Sequence, residues 1–237
     1  MRIIFFGLAV FAAATSSLAT SVQVTTTNSA AETEIRRHFE KLLHELREDW
    51  GRGQEGTIRE VIIEASVTGD DEASGSSMYV PDKNGQVWKF QIHLQGNLDD
   101  ILRDALPRQI SALVLAEQVG VAPRWIGTGI GLLSESETSR LRNQRAFQKS
   151  FRDGELLPTG KLLSLREYPK DAESRSTMYV QSMAIAEFVT DRWGREALIE
   201  FGRLSTMHSP AVAIRKQFDL ESVGEFDLAF RTWAVSQ

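Results

Sequence analysis

The sequence predicts an α+β fold, mainly helical, in which a small N-terminal sheet precedes a helical core. Two observations carry this expectation. Runs of β-branched and alternating apolar residues are confined to positions 58–95, whereas from Asn97 onward apolar residues recur at helical spacing between recognisable caps. The 237 residues are 42% apolar, enough for one sizeable core, and no internal repeat or second domain boundary interrupts them.

Taken in order, residues 1–19 read as a secretory signal peptide. Arg2 forms the positive n-region, 3–14 the apolar h-region, and Ser17-Leu18-Ala19 a small-residue exit. The h-region is too short for a bilayer, and no later stretch approaches about 20 apolar residues. An exported protein, periplasmic or secreted, is expected, with no stable membrane insertion of the mature chain. The chain has no cysteine, which removes disulfides, thiol catalysis and cysteine-ligated metals. With 27 basic against 32 acidic residues the net charge is −5, which argues against a nucleic acid partner.

Residues 20–30 are rich in Ser, Thr and Asn and predict a flexible leader, with Asn28-Ser29 near the start of the first helix. That helix covers 31–50 and buries Ile35, Phe39, Leu42, Leu43, Leu46 and Trp50. His38 and His44 are six residues apart on it and do not share a face, so they are read as solvated.

Strands are expected at 58–67 and 87–95, the latter with Trp88, Phe90, Ile92 and Leu94 on one face and His93 on the other. Between them lie a polar loop at 69–77, a short strand of Met78, Tyr79 and Val80, and a turn at 81–85. Asp70, Asp71 and Glu72 lack calcium-loop spacing and read as a solvated acidic loop.

Asn97 caps the next helix, with Asp99 and Asp100 in its first turn. Pro107 then opens a new helix that Gly120 stops, and Pro123 opens another whose Trp125 and Leu132 or Leu133 pack back on it. A basic helix at 140–152 has Leu141 and Phe147 to bury, and Glu135 and Glu137 upstream make a mixed-charge face. Residues 154–169 are loop-rich. A long helix at 173–193 sets Tyr179, Met183 and Ala186 on one side, and helices at 195–204, 210–218 and 222–235 follow, with Trp233 as a late anchor.

The stretch 106–137, LPRQISALVLAEQVGVAPRWIGTGIGLLSESE, resembles the zinc core of gluzincin-type metallopeptidases, the peptidase-MA-like families of exported bacterial proteins. Those families carry H-E-x-x-H on one helix and P-R-W-x-x-E-G at the next. Leu106, Pro107, Pro123, Arg124, Trp125, Gly129 and the LLSESE tail match, and LQGNLDDILRDALP, LREYPKD and MYVQSMAIAEFV are similar to the flanking segments, so most of the mature chain is covered. The resemblance implies a gluzincin-like helical core. It places the first ligand histidine on Arg108, the general base on Gln109, the second histidine on Ala112 and the third ligand on Thr128. Tyr179 falls where the family keeps an aromatic facing the site. Residues 154–169 fall near the substrate side. The strand at 87–95 takes the sheet edge beside the cleft, where an extended peptide can pair.

The chemistry of these substitutions is decisive. A zinc site needs about three lone-pair ligands from the protein. Ala112 has none, Thr128 offers a neutral hydroxyl, and Arg108 brings a permanent cation with no acceptor. Gln109 cannot take a proton from water. The resemblance therefore implies a pseudopeptidase with no catalytic residue, no metal and no cofactor, a binding or scaffold protein using the remnant cleft at Arg108, Gln109, Ala112, Thr128 and Tyr179. An extended peptide or envelope protein is the implied partner. Arg108 is expected to be paired, with Gln109, Thr128, backbone carbonyls, Glu167 or Asp171 as acceptors. The alternative is a hydrolase using a metal-independent or unrecognised site in the same cleft, although Ser111 and the histidines His38, His44, His93 and His208 form no motif. A structural envelope protein with a filled cleft is a third reading.

Overall fold

A computed structural model describes residues 20–51, 58–69 and 72–237. The signal-peptide reading and Asp70 and Asp71 of the acidic loop lie outside these described residues. The architecture is α+β and mainly helical. A four-stranded sheet of β1 (Ser21–Thr26), β2 (Glu60–Val67), β3 (Ser74–Pro81) and β4 (Val87–Gly96) has the order β1-β2-β4-β3. The first three in that order run parallel, and β3 is antiparallel to β4 at the edge.

Two strands differ from the sequence expectation. The stretch expected as a flexible leader forms β1, whose Val22 and Val24 pair with Val61 and Ile63. Serine and threonine hide an alternation there, and Val24 reaches the core against α1 (Ser29–Trp50). Strand β3 begins at Ser74, inside the expected polar loop, because pairing with β4 holds a Gly/Ser-rich run that has little propensity of its own. It follows that β4 is interior and that β3, not 87–95, forms the sheet edge. A register shift at Val80/Pro81 also turns Trp88 outward, 39% exposed, while Phe90, Ile92 and Leu94 stay buried.

Helix α1 starts as predicted, since the Asn28 side chain accepts from the amides of Ala30 and Ala31. Its Arg47 forms an ion pair with Glu117 of α3 (Leu106–Val119), a carboxylate 2% exposed. Pro107 does not open a new helix. The chain is helical without a break from α2 (Leu98–Asp100) through a π-helical turn (Ile101–Ala105) into α3. The Leu106 amide reaches back to the Ile101 carbonyl, and this wider turn absorbs the donor and space that a proline inside a helix lacks.

Helices α4 (Arg124–Leu133), α5 (Glu137–Asp153), α6 (Thr159–Ser164), α7 (Ala172–Trp193), α8 (Arg195–Met207), α9 (Pro210–Phe218) and α10 (Val223–Val235) follow. The short α6 sits within the passage expected as loop. Trp125 is fully buried and meets Phe201 of α8 at 5.4 Å. Phe147 is buried against Phe230 at 5.8 Å, but Leu141 is 45% exposed rather than buried. Phe188 of α7 lies between Trp193, Phe226, Phe230 and Trp233, which locks the C-terminal helices together. Gly129 allows α4 to press on α7, because a Cβ there would stand 2.4 Å from the Ser182 carbonyl oxygen. Among the described residues no helix is long and apolar enough to cross a membrane.

Candidate binding cleft

Helix α3 runs beneath the sheet edge, and a Cβ at Gly75 of β3 would stand 3.1 Å from Gln109 Nε2. Between β3, α3, α4 and α7 lies a cavity of about 140 Å³. Its walls include all five positions singled out from the sequence: Arg108, Gln109 and Ala112 on α3, Thr128 on α4 and Tyr179 on α7. Phe90, Leu115 and Leu132 add apolar wall, while Tyr79, Arg124 and Tyr168 complete the polar rim.

Arg108 is paired, but with a residue that sequence reasoning assigns to the surface. Its Nε and Nη2 both reach Glu135 Oε1, and the Glu135 side chain is 0% exposed. Asn143 Nδ2 donates to the second oxygen at 3.2 Å. Burial pushes the Glu135 carboxyl above its ordinary range, and the Arg108 charge works against that rise. The pair depends on a glycine, since a Cβ at Gly131 would stand 2.8 Å from Arg108 Cγ. Gln109, Thr128, Glu167 and Asp171, the acceptors anticipated from the sequence, are not the partners. Glu135 lies within the LLSESE tail just past α4, and only the helix crossing brings it to Arg108, 27 residues away.

Beside this pair, Asp104 of the π-helical turn accepts the Ser136 amide at 2.9 Å, at the start of α5. Burial pushes its carboxyl up, but bonds from Ser136, Ser139 and Arg103 outweigh that and hold it below the ordinary range. The buried Ser111 hydroxyl lies 2.9 Å from the Pro107 carbonyl and 2.7 Å from the Ser134 hydroxyl.

Gln109 is 5% exposed, and its amide has no hydrogen-bond partner among the described residues. The Thr128 hydroxyl lies 3.5 Å from the Tyr168 hydroxyl, and Tyr168 meets Tyr179 edge-on at 5.8 Å. Burial pushes the Tyr179 hydroxyl up, Tyr168 adds to the rise, and Arg108 opposes it. Arg124 lies over Tyr168 at 5.2 Å and Tyr79 at 5.7 Å, and its Nε donates to the Arg166 carbonyl at 3.2 Å. It forms no ion pair with a described carboxylate. Sequence reasoning counts Arg124 among the matching residues without giving it a role, and it misses Tyr79 and Tyr168 because their meeting is tertiary.

Among the described residues no histidine, aspartate or glutamate lines the cavity, and its titratable groups besides the two arginines are tyrosine hydroxyls. The residues at the positions that the resemblance aligns with zinc ligands do not fit a zinc ion: Arg108 is paired with Glu135, Ala112 has no lone pair and Thr128 offers only a neutral hydroxyl. Among the described residues no group of three or more His, Cys, Asp or Glu is placed to hold a metal. Elsewhere, His93 Nδ1 lies 3.0 Å from Glu64 Oε2, and Ser76 stands opposite His93 in the register of β3 and β4. His93 and Glu64 lie outside the cavity lining, whereas Ser76 borders the cavity as well. No protein-family model matches the chain, and no curated protein or solved structure matches it either.

Proposed function

We propose that the chain is an exported, non-catalytic binding protein built on a metallopeptidase-like cleft, with an extended peptide segment of another envelope protein as its partner. The observation that carries this reading is the convergence of Arg108, Gln109, Ala112, Thr128 and Tyr179 on one cavity that lacks a general base and a ligand set. Export rests on the N-terminal 19 residues. The peptide reading rests on β3, which pairs on one side only among the described residues and forms one wall of the cavity. An added strand would bond to the free main-chain groups of β3 and set a side chain into the cavity, a mode that needs no metal. The test is to fill the cavity. Ala112→Phe should abolish binding of peptides from an extended-peptide library while the circular dichroism spectrum is kept; unchanged binding would contradict the site.

A second reading, metal-independent hydrolysis, draws on the row Ser76, His93 and Glu64. Among the described residues its serine makes no hydrogen bond to the histidine, and His93 and Glu64 lie outside the cleft that Ser76 borders. Labelling by a fluorophosphonate that disappears in Ser76→Ala would favour this reading over the first.

A further inference from the structure

We infer that Arg124 is the residue of this cleft that recognises a carboxylate on the bound segment; the inference rests on the peptide-binding reading above. Two cations line the cavity, and they differ in what already neutralises them. Arg108 spends two nitrogens on the buried Glu135, so its charge is compensated within the protein. Arg124 has no such counter-ion. What holds it is two tyrosine rings and one main-chain carbonyl.

That setting fixes the guanidinium without using its fork. The rings of Tyr79 and Tyr168 favour the cation through their faces. The Arg166 carbonyl takes Nε, which leaves both terminal nitrogens without a partner among the described residues. A planar fork already held in place loses little freedom on binding, and its geometry matches a carboxylate. The unpartnered Gln109 amide supplies the second contact. It offers one donor group and one acceptor, the complement of a peptide unit.

The two contacts also have a defined separation. Gly75, beside Gln109, and Tyr79, beside Arg124, are four residues apart on the cavity face of β3, about 13 Å at roughly 3.3 Å per residue. A segment lying along this edge thus meets Gln109 with a peptide unit and Arg124 with a carboxylate about four residues away. The carboxylate comes either from a chain terminus or from an acidic side chain.

The experiment compares three forms of one library-selected peptide by fluorescence polarisation: the free acid, its neutral C-terminal amide, and an amide carrying Glu near the same end. The parent should bind one or both carboxylate forms on the order of tenfold tighter than the neutral amide or more, and which form gains identifies the source. In Arg124→Gln that ratio should fall to near one. Arg124→Lys, which keeps the charge but not the fork, should retain only part of it and serves if the glutamine variant is poorly folded. Neutral binding without preference in the parent, or a preference that survives both variants, overturns the role of Arg124 and leaves the peptide cleft standing. Absence of binding by all three forms overturns both.

Discussion

Arg108 and Glu135 form an ion pair through two guanidinium nitrogens across the α3–α4 crossing, with the carboxylate fully buried. The arginine therefore does not stand in the cleft as a loose charge. It is half of a pair whose other half comes from the end of the same motif. Removing one partner of a buried pair leaves the other uncompensated, a loss of about 3–5 kcal/mol. Arg108→Met is expected to lose stability in this range at neutral pH. The loss should be pH-dependent, because burial already holds the folded Glu135 pKa above its ordinary value and Arg108 opposes that rise. Stability from a raised pKa is present below the unfolded value and is lost as pH rises through the folded value. Without Arg108 the folded value climbs further, so the gap between variant and parent should widen from acid to neutral pH. Denaturant titrations across that range check this, and a pH-independent gap contradicts it.

Asp104 has the opposite sign. Its carboxyl is held below the ordinary range, so its contribution is present above the unfolded pKa and lost as pH falls through the folded one. Asp104→Asn removes the charged acceptor that Ser136 uses at the start of α5. A loss of about 1 kcal/mol near neutrality is expected, shrinking toward zero in acid, measured by the shift of the urea midpoint.

The glycines of α4 should split by what each would touch. At Gly129 a Cβ meets the Ser182 carbonyl oxygen at 2.4 Å, whereas at Gly127 the nearest atom is Leu115 Cδ2 at 3.7 Å. Gly129→Ala should cost about 1–3 kcal/mol through forced separation of α4 and α7. Gly127→Ala should be neutral or stabilise by up to about 1 kcal/mol, since glycine is a poor helix former. Thermal melts of the two variants decide it, and equal effects would contradict the close helix contact.

How much of this was legible in the sequence follows from how local each signal is. Helix α1, the Asn97 cap and the helices around Gly120, Gly194 and Pro210 are written in short-range spacing and cap chemistry, and they stand where expected. The strands β1 and β3 are not, because Ser, Thr and Gly carry weak intrinsic signals and their order comes from pairing with β2 and β4. Pro107 misled for a related reason: a proline that opens helices elsewhere sits here behind a π-helical turn that accommodates it. The five positions taken from the motif frame line one cavity, but the partner of Arg108 and the two rings holding Arg124 left no trace in the sequence. Those contacts join residues 27 and more positions apart, which no local pattern records.

The central claim is a cleft that binds a carboxylate-bearing segment without metal. The most direct measurement is calorimetric titration of a selected free-acid peptide into the protein, first stripped with a chelator and then supplied with stoichiometric zinc. The account predicts the same affinity and enthalpy in both states, with the peptide intact afterwards by mass spectrometry. Binding that appears only with zinc, or cleavage of the peptide, would contradict it.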